Sequence, residues 1–567
     1  MALHSGPAEY RDGDYFGPTL NRVARLLALG HGGQTLLSAI THELCRDYLP
    51  PNVSLKSLGE HSLKDLDRRE AVFEVRHTES LQNFPPLRTL LAPIDSDTPS
   101  IAVLPFADLS PKRDQEYFTD GLAEELLNVL TKIRGLRVAS RTSAFSFKGK
   151  DLDIPTMAQK LNVATILEGS VRKSGKRVRI TAQLIQVATD SHLWSETYDR
   201  DLEDIFAVQD DIAQSVVKGL RAALLGEKPD ASANAVAKSD VQAAAKGRGE
   251  NAEAYRLYLQ GRFFGDRFTL EDNAKAIEHY RQALGIDPSY ALAWAGLSLA
   301  YQQQVGYWKD TTIVEEFSKA REAAERALQL EPDLAEGHLA LGHVRMNDWD
   351  WNGADASFRR AFELAPGSAQ VLSGTAVLGG SLGRLDEAVA LLRRAVMLDP
   401  LNAEAYQFLE AWCIRAGLLD EAEVAATNAL ELDPRRGVTL FWLGIVQMAQ
   451  GRLEDALETF KRETLVTFRL LGLALVYHAS GRSAQSDAVL REMIEKEADA
   501  SAYQIALAYA YRGEADLAFV WLERAYVQRD TGLGGMKVST LLENLHGDPR
   551  WLPFLRKMGL ADSAYPT

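Results

Sequence analysis

Small and apolar residues return in a fixed pattern along the second half of the chain. Ala354, Phe358 and Ala361 precede Pro366; Ala388, Leu392 and Ala395 precede Pro400; Ala422, Ala426 and Ala429 precede Pro434. The three prolines lie 34 residues apart. Steps of four and three residues keep each set on one helical face. Proline then ends the helix, because it has no N–H to donate and its ring crowds the preceding turn. Ala276, Tyr280 and Ala283 before Pro288, and Ala320, Ala324 and Ala327 before Pro332, repeat the pattern. Those two prolines are 44 residues apart, so Gln303 to Thr312 is expected to lengthen a helix or a loop. Ala456 and Phe460 open a further unit without a proline, and Ala518, Leu522 and Ala525 mark a late one. Gly383, Gly417 and Gly451 share the period and sit where one helix reverses into the next.

The first half alternates differently. Ile101 to Phe106 is a buried-strand run, Tyr117 to Ile133 a helix, Leu136 to Ser140 a second strand and Ile154 to Leu161 another helix. Ala164 to Arg172 and Val178 to Val187 predict a hairpin turning at Gly175, and His192 to Tyr198 adds a strand. Asp201 to Leu225 has the period of a long amphipathic helix. Upstream, a turn-rich segment leads into a helix carrying Asn21 and Arg25. His31 to Ser38 reads as a turn and a short strand, then a helix through Leu44. Leu55 to Leu66 and Ala71 to Val75 read as two closing strands, with Gly59-Glu60-His61 in the turn. Residues 78–99 are proline-rich, an extended connector. Residues 226–250 are rich in Ala, Lys, Asp and Ser, the composition of a mobile tether.

Composition narrows the function classes. The chain has 567 residues, too many for one core. Its formal charge of −15 argues against a nucleic-acid footprint. Cys45 and Cys413 carry no motif, which suits a reducing compartment rather than a disulfide framework. The histidines show no metal-ligand spacing. No apolar run reaches the roughly 18 residues a membrane span needs, and no secretory leader is recognisable, so a cytoplasmic location is expected.

The 34-residue period with its Ala/aromatic/Ala/Pro spacing resembles the tetratricopeptide repeat. The resemblance implies stacked helical hairpins over residues 251–530, seven to eight of them, closed by a capping segment over residues 531–567. The groove lined by their first helices would take a protein or peptide partner. Trp349, Trp351, Trp442 and Trp521 fall at core spacing, and Tyr301, Trp308 and Tyr406 are weighed as groove anchors and read as core.

Residues 100–225 carry Ala-Val-Leu-Pro-Phe, Phe-Thr-Asp-Gly-Leu, Glu-Gly-Ser-Val-Arg and Leu-Trp-Ser-Glu-Thr-Tyr-Asp-Arg. This segment resembles the TolB-type α/β domain found before tetratricopeptide arrays in bacterial signalling proteins. It has no phosphate loop, nucleophile elbow or nucleophile–base pair.

Residues 1–77 carry Asp14-x-x-Gly17-x-x-x-Asn21-x-x-x-Arg25, then Gly32-Gly33-Gln34-x-x-x-Ser38 and a Leu-Gly-Glu-His-x-Leu-Lys-Asp-Leu run. They resemble the C-terminal part of a class III adenylate/guanylate cyclase domain. That resemblance assigns the adenine amino group to Asp14, ribose orientation to Asn21 and transition-state phosphate charge to Arg25. The family's two metal-binding aspartates and its base-reading lysine belong to an earlier half, with no room for them before Asp14. Met1 is then expected to be an internal methionine. Mg²⁺ or Mn²⁺ would enter only at a site completed by a homodimer mate or another cyclase; otherwise no cofactor is implied.

The expected architecture is multidomain: a partial α/β cyclase module, an α/β TolB-like domain and an all-α tetratricopeptide superhelix. Two functions follow from it. One is a signalling protein whose family reaction converts ATP to cyclic AMP and pyrophosphate. The other is a non-catalytic interaction scaffold with an inert cyclase remnant.

Overall fold

The computed structural model divides the chain into two compact units, Met1–Asp97 and Thr98–Thr567. It describes residues 1–6, 9–11, 14–16, 18–29, 34–50, 52–61, 70–77 and 99–111, then 116–131, 133, 136–150, 152–174, 177–201, 205–225, 239, 247–249, 251–267, 269–306 and 313–561.

In the first unit, strand β1 (Ala2–Leu3) pairs in parallel with β4 (Leu36–Ser38). Strand β6 (Glu70–His77) lies antiparallel between β4 and β5 (Val53–His61), giving the order β1-β4-β6-β5. Strands β2 (Glu9–Arg11) and β3 (Asp14–Phe16) form a separate hairpin, and helix α1 spans Pro18–Leu29. Leu26, Leu36 and Val72 make a small shared core. Helix α2 (Ala39–Cys45) starts at Ser38, whose hydroxyl caps it by accepting from Thr41 N. Gly59-Glu60-His61 is not the turn expected from the sequence. These residues continue β5 opposite Val72, Ala71 and Glu70, after a register shift between Ser57 and Gly59. A glycine within a strand marks a bulge as readily as a turn.

The second unit begins with a six-stranded sheet, ordered β12-β11-β10-β7-β9 with β8 (Ala107–Asp108) beside β10. Strands β10 (Thr165–Ser174), β11 (Arg177–Gln186) and β12 (Ser191–Asp201) form a long antiparallel meander. Strand β7 (Ser100–Val103) runs parallel to β10, and β9 (Arg137–Val138) parallel to β7. Helices α3 (Glu116–Leu130) and α6 (Ile205–Leu225) cover one face, packing Leu122, Leu126, Ile212 and Val216 against Val103, Leu167 and Ile180. Met157 and Leu161 of α5 (Ile154–Leu161) cover Ala102 and Ile166 on the other face. Adjacent strand residues therefore point to opposite faces, as the period of two requires. Asp201 belongs to β12, opposite Arg177, so α6 starts at Ile205 and not at Asp201. Gly175 lies outside the described residues.

Eight helical hairpins follow, each with a first helix A and a second helix B. Repeats 1 to 4 are Ala252–Gly265 with Leu270–Ile286, Ala291–Gly306 with Ile313–Leu330, Ala335–Asn347 with Trp351–Leu364, and Ala369–Ser381 with Leu385–Leu398. Repeats 5 to 8 are Ala403–Arg415 with Leu419–Leu432, Thr439–Ala449 with Leu453–Arg462, Val466–Ala479 with Ser483–Glu497, and Ala502–Tyr511 with Ala515–Gln528. The B-helix faces marked by the periodic residues are buried: Ala354, Phe358, Ala361, Ala388, Leu392 and Ala395 expose at most 1%. Gly383, Gly417 and Gly451 take φ values of 96°, 74° and 77° at the A–B turns. That left-handed backbone carries no steric cost for glycine. Helix 2A runs to Gly306, within the segment expected to be longer; 307–312 and Trp308 lie outside the described residues.

The tether expected over residues 226–250 is anchored at its end. Leu292 N donates to Gly247 O at 3.0 Å. The Arg248 side chain is 8% exposed and pairs with Glu125 at 2.8 Å and with Asp210 at 2.9 Å. Polar composition signalled mobility, but here the Arg248 charge is a pin between α3 and α6, and the neighbouring Gly247 holds the start of helix 2A.

Candidate functional site

In the first unit, Asp14 stands in β3, and Asn21 and Arg25 stand four residues apart on α1. The side chains of all three lie outside the described residues. The described acidic groups nearby are committed elsewhere. Glu70 accepts from Ala39 N and faces Arg22 at 3.7 Å. Glu74 accepts from Gln34 and pairs with Arg76, both at 2.7 Å. Among the described residues no three His, Cys, Asp or Glu side chains converge on a metal position.

The A helices of the second unit form the surface on which a partner was expected. Much of that surface is already occupied. Beyond repeat 8 the chain forms two 3₁₀ segments, Thr531–Val538 and Thr540–Leu545, and the helix Trp551–Lys557. The first segment lies against helices 3A, 4A and 8A. Lys537 Nζ donates to Leu382 O at 3.1 Å, and Trp351 Nε1 donates to Met558 O at 2.6 Å. Leu533, Met536, Leu542, Leu545 and Leu560 are fully buried within the same apolar cluster as repeats 3 to 8. Residues 531–561 therefore do more than cap the last hairpin: they tie repeat 8 back to repeats 3 and 4. The sequence showed a terminal Trp and Pro but not their distant partners.

An open concavity lies among helices of repeats 1 to 4. It encloses about 60 Å³ and is lined by Tyr258, Arg262, Gly265, Asp266, Tyr280, Gly296, Gln303, Glu336 and Gln370 among others. Glycine builds part of this wall, since a Cβ at Gly296 would stand 2.7 Å from Tyr280 Cζ. Behind the concavity lies an ionic network. Arg141, 9% exposed, pairs with Glu124 and with Asp266. Arg262 pairs with Glu124 at 3.2 Å and donates to Tyr258 Oη at 3.1 Å. Burial pushes the Tyr258 phenol up to about 12, so it stays neutral. Arg141 begins helix α4 (Arg141–Phe145), so the network fastens the α/β domain to repeat 1.

A second fastening reaches repeats 4 and 5. Ser140 N donates to Leu398 O at 2.7 Å, and Leu401 N donates to Ser143 Oγ at 2.9 Å. The Asp399 carboxylate accepts from the hydroxyls of Ser140 and Ser143 and from Asn402 Nδ2. Burial raises the Asp399 pKa, and these hydrogen bonds oppose the rise. Of the weighed anchors, Tyr301 and Tyr406 are buried at 6% and 4% exposure, as core spacing predicts. None of the residues lining the concavity was singled out from the sequence as a ligand-contacting group; Tyr280 entered only as a repeat-packing position. Their convergence joins helices of four repeats.

Comparison with known proteins bears on each part. Residues 267–305 match a TPR repeat family model, and residues 339–403 and 414–464 match a tetratricopeptide repeat model. Residues 96–215 match the second domain of HilA/YgeH-like transcriptional regulators. A Rhizobium meliloti (strain 1021) protein named "Putative adenylate cyclase 3" is 33% identical over 354 residues, covering 61% of this chain and 58% of that relative. An uncharacterised Mycobacterium tuberculosis (strain ATCC 25618 / H37Rv) protein is 47% identical over 89 residues, 16% of this chain and 31% of its own length. The chain thus spans less than two thirds of these curated relatives. The solved structure of PilW, a type IV pilus biogenesis factor, is 20% identical with a TM-score of 0.31, covering 37% of this chain and 96% of PilW. That score is too low to add to the family matches. The helical array of this chain is a tetratricopeptide-repeat array.

Proposed function

We propose that this chain is an interaction scaffold of the adenylate cyclase–tetratricopeptide type, acting in the cytoplasm. Its repeat array recruits a protein partner, and its first unit is a cyclase-derived segment. The observation that carries the reading is the stack of eight hairpins among the described residues, which buries its apolar faces and leaves an open concavity lined by repeats 1 to 4. The α/β domain acts as a brace. It carries TolB-like motifs, matches a regulator domain and is pinned to repeats 1, 4 and 5 by buried polar contacts. Among the described residues no helix is long and apolar enough to cross a membrane.

The likeness to the Rhizobium meliloti relative supports a second reading for the first unit. Asp14, Asn21 and Arg25 would supply the base-reading and transition-state half of a site completed by another cyclase domain. A guanidinium placed where phosphate charge develops is a strong catalytic device. One experiment separates the two. Full-length protein is incubated with ATP and Mn²⁺, alone and with a catalytically incomplete class III cyclase domain that retains the metal-binding half. The scaffold reading expects no cyclic AMP in either case. Cyclic AMP in the mixture that disappears with Arg25→Ala establishes the second reading.

A further inference from the structure

The polar groups behind the open concavity balance one another. Arg141 and Arg262 face Glu124 and Asp266, two guanidinium groups against two carboxylates. Glu336 lies on the rim of the same concavity and has no hydrogen-bond or ion-pair partner among the described residues. Its position in the first turn of helix 3A suits the helix dipole, but that leaves both carboxylate oxygens available to a ligand. The cavity thus carries one negative charge in excess of its internal pairs. Tyr258 and Tyr280, each 3% exposed, form an aromatic floor, and Gln303 adds an amide on the wall. A carboxylate over an aromatic floor is the complement of a planar cation.

Other cavities and faces do not offer this. Residues 531–561 lie against helices 3A, 4A and 8A and cover part of the A-helix surface there. The exposed Leu517, Val520 and Val527 on helix 8B have nothing that identifies what covers them.

We propose that the concavity at repeats 1 to 4 is a cation-accepting subsite, which takes an arginine side chain of a peptide partner, with Glu336 as the anion that receives it. This rests on the reading of the array as a partner-binding surface. It adds the chemistry of one anchor position. Gly265 supplies an independent handle, because a Cβ there would meet only Ala276 Cβ at 3.8 Å and Tyr280 Oη at 3.9 Å. A larger side chain at that position starts from ordinary contacts on the wall of the cavity.

The test is calorimetric titration of the full chain with acetyl-Gly-Arg-Gly-amide and with its citrulline counterpart, which has the same shape and no charge. The expected result is saturable binding of the arginine peptide, at least tenfold weaker binding of the citrulline peptide, and at least tenfold loss with Glu336→Gln. Gly265→Leu should abolish binding while the melting temperature stays at or above that of the parent. Equal binding of the two peptides, an unchanged affinity in Glu336→Gln, or no saturable binding overturns the proposal. Partner capture distinguishes this failure from failure of the scaffold reading. A protein partner held equally by the parent and Glu336→Gln removes the subsite and keeps the scaffold. Binding of the arginine peptide without any protein partner does the reverse.

Discussion

Trp351 donates its indole N–H to the main-chain carbonyl of Met558, 207 residues further along the chain. The bond joins the start of helix 3B to the C-terminal helix, so the third repeat and the chain's last described segment fold as one body. Trp351 is 6% exposed and Met558 only 1%. Replacing Trp351 by Phe keeps most of the apolar area and leaves the carbonyl buried without its donor. The expected cost is about 1–3 kcal/mol. It should be visible as a lower melting temperature and as earlier native-state proteolysis between residues 546 and 560.

Trp349 adopts φ 64° at the A–B turn where later repeats place Gly383, Gly417 and Gly451. The left-handed backbone costs a residue with a Cβ roughly 1–2 kcal/mol. What offsets it is contact with the end of the array: Trp349 stacks on Tyr526 with centroids 4.9 Å apart, and Arg529 lies 4.4 Å over its ring. Stacking and the cation together contribute about 1–3 kcal/mol. Trp349→Gly should therefore relieve strain yet lower the melting temperature. A variant more stable than the parent would show that closure of repeat 3 on repeat 8 adds nothing.

Glu410 is fully buried on helix 5A, and neither carboxylate oxygen has a hydrogen-bond partner. Burial raises its pKa well above 4.5, and the neighbouring Glu463 adds to the rise. A raised folded pKa means that its contribution is whole below the ordinary carboxylate range and is lost as pH climbs through the folded value. Glu410→Leu should be more stable than the parent by about 1–3 kcal/mol at pH 8. The gap in melting temperature should shrink towards pH 5. A gap that widens on acidification would contradict this.

Arg141 holds two carboxylates at the junction of the α/β domain and repeat 1. Arg141→Met leaves Glu124, 3% exposed, with Arg262 alone. Stranding a buried charge costs about 3–5 kcal/mol. Adding Glu124→Gln should restore at least half of the lost stability, read from chemical denaturation of the full chain. A double variant as unstable as the single one would show that charge balance is not what the junction needs.

The repeats were legible because stacking imposes a local demand. Each B helix must present a small face at the repeat period, and the A–B turns of repeats 3 to 8 use a left-handed residue, so Ala354, Ala388, Ala422 and Gly383 appear in register. Asp14, Asn21 and Arg25 were legible as a motif but not as a site, because the cyclase resemblance assigns part of that site to groups elsewhere and their side chains lie outside the described residues. Strands β10 to β12 followed from alternation. Gly59 did not, since a glycine permits a bulge and a turn equally and only pairing with β6 decides.

By itself the sequence determined the elements, their period and their buried faces, because propensity and amphipathic spacing act over a few residues. Tertiary structure alone decided which distant surfaces meet: Trp351 on Met558, Arg141 on Asp266, Arg248 on Glu125. Those contacts join residues with no shared period. Their free energy comes from desolvation and charge pairing between elements already formed, which no local pattern encodes.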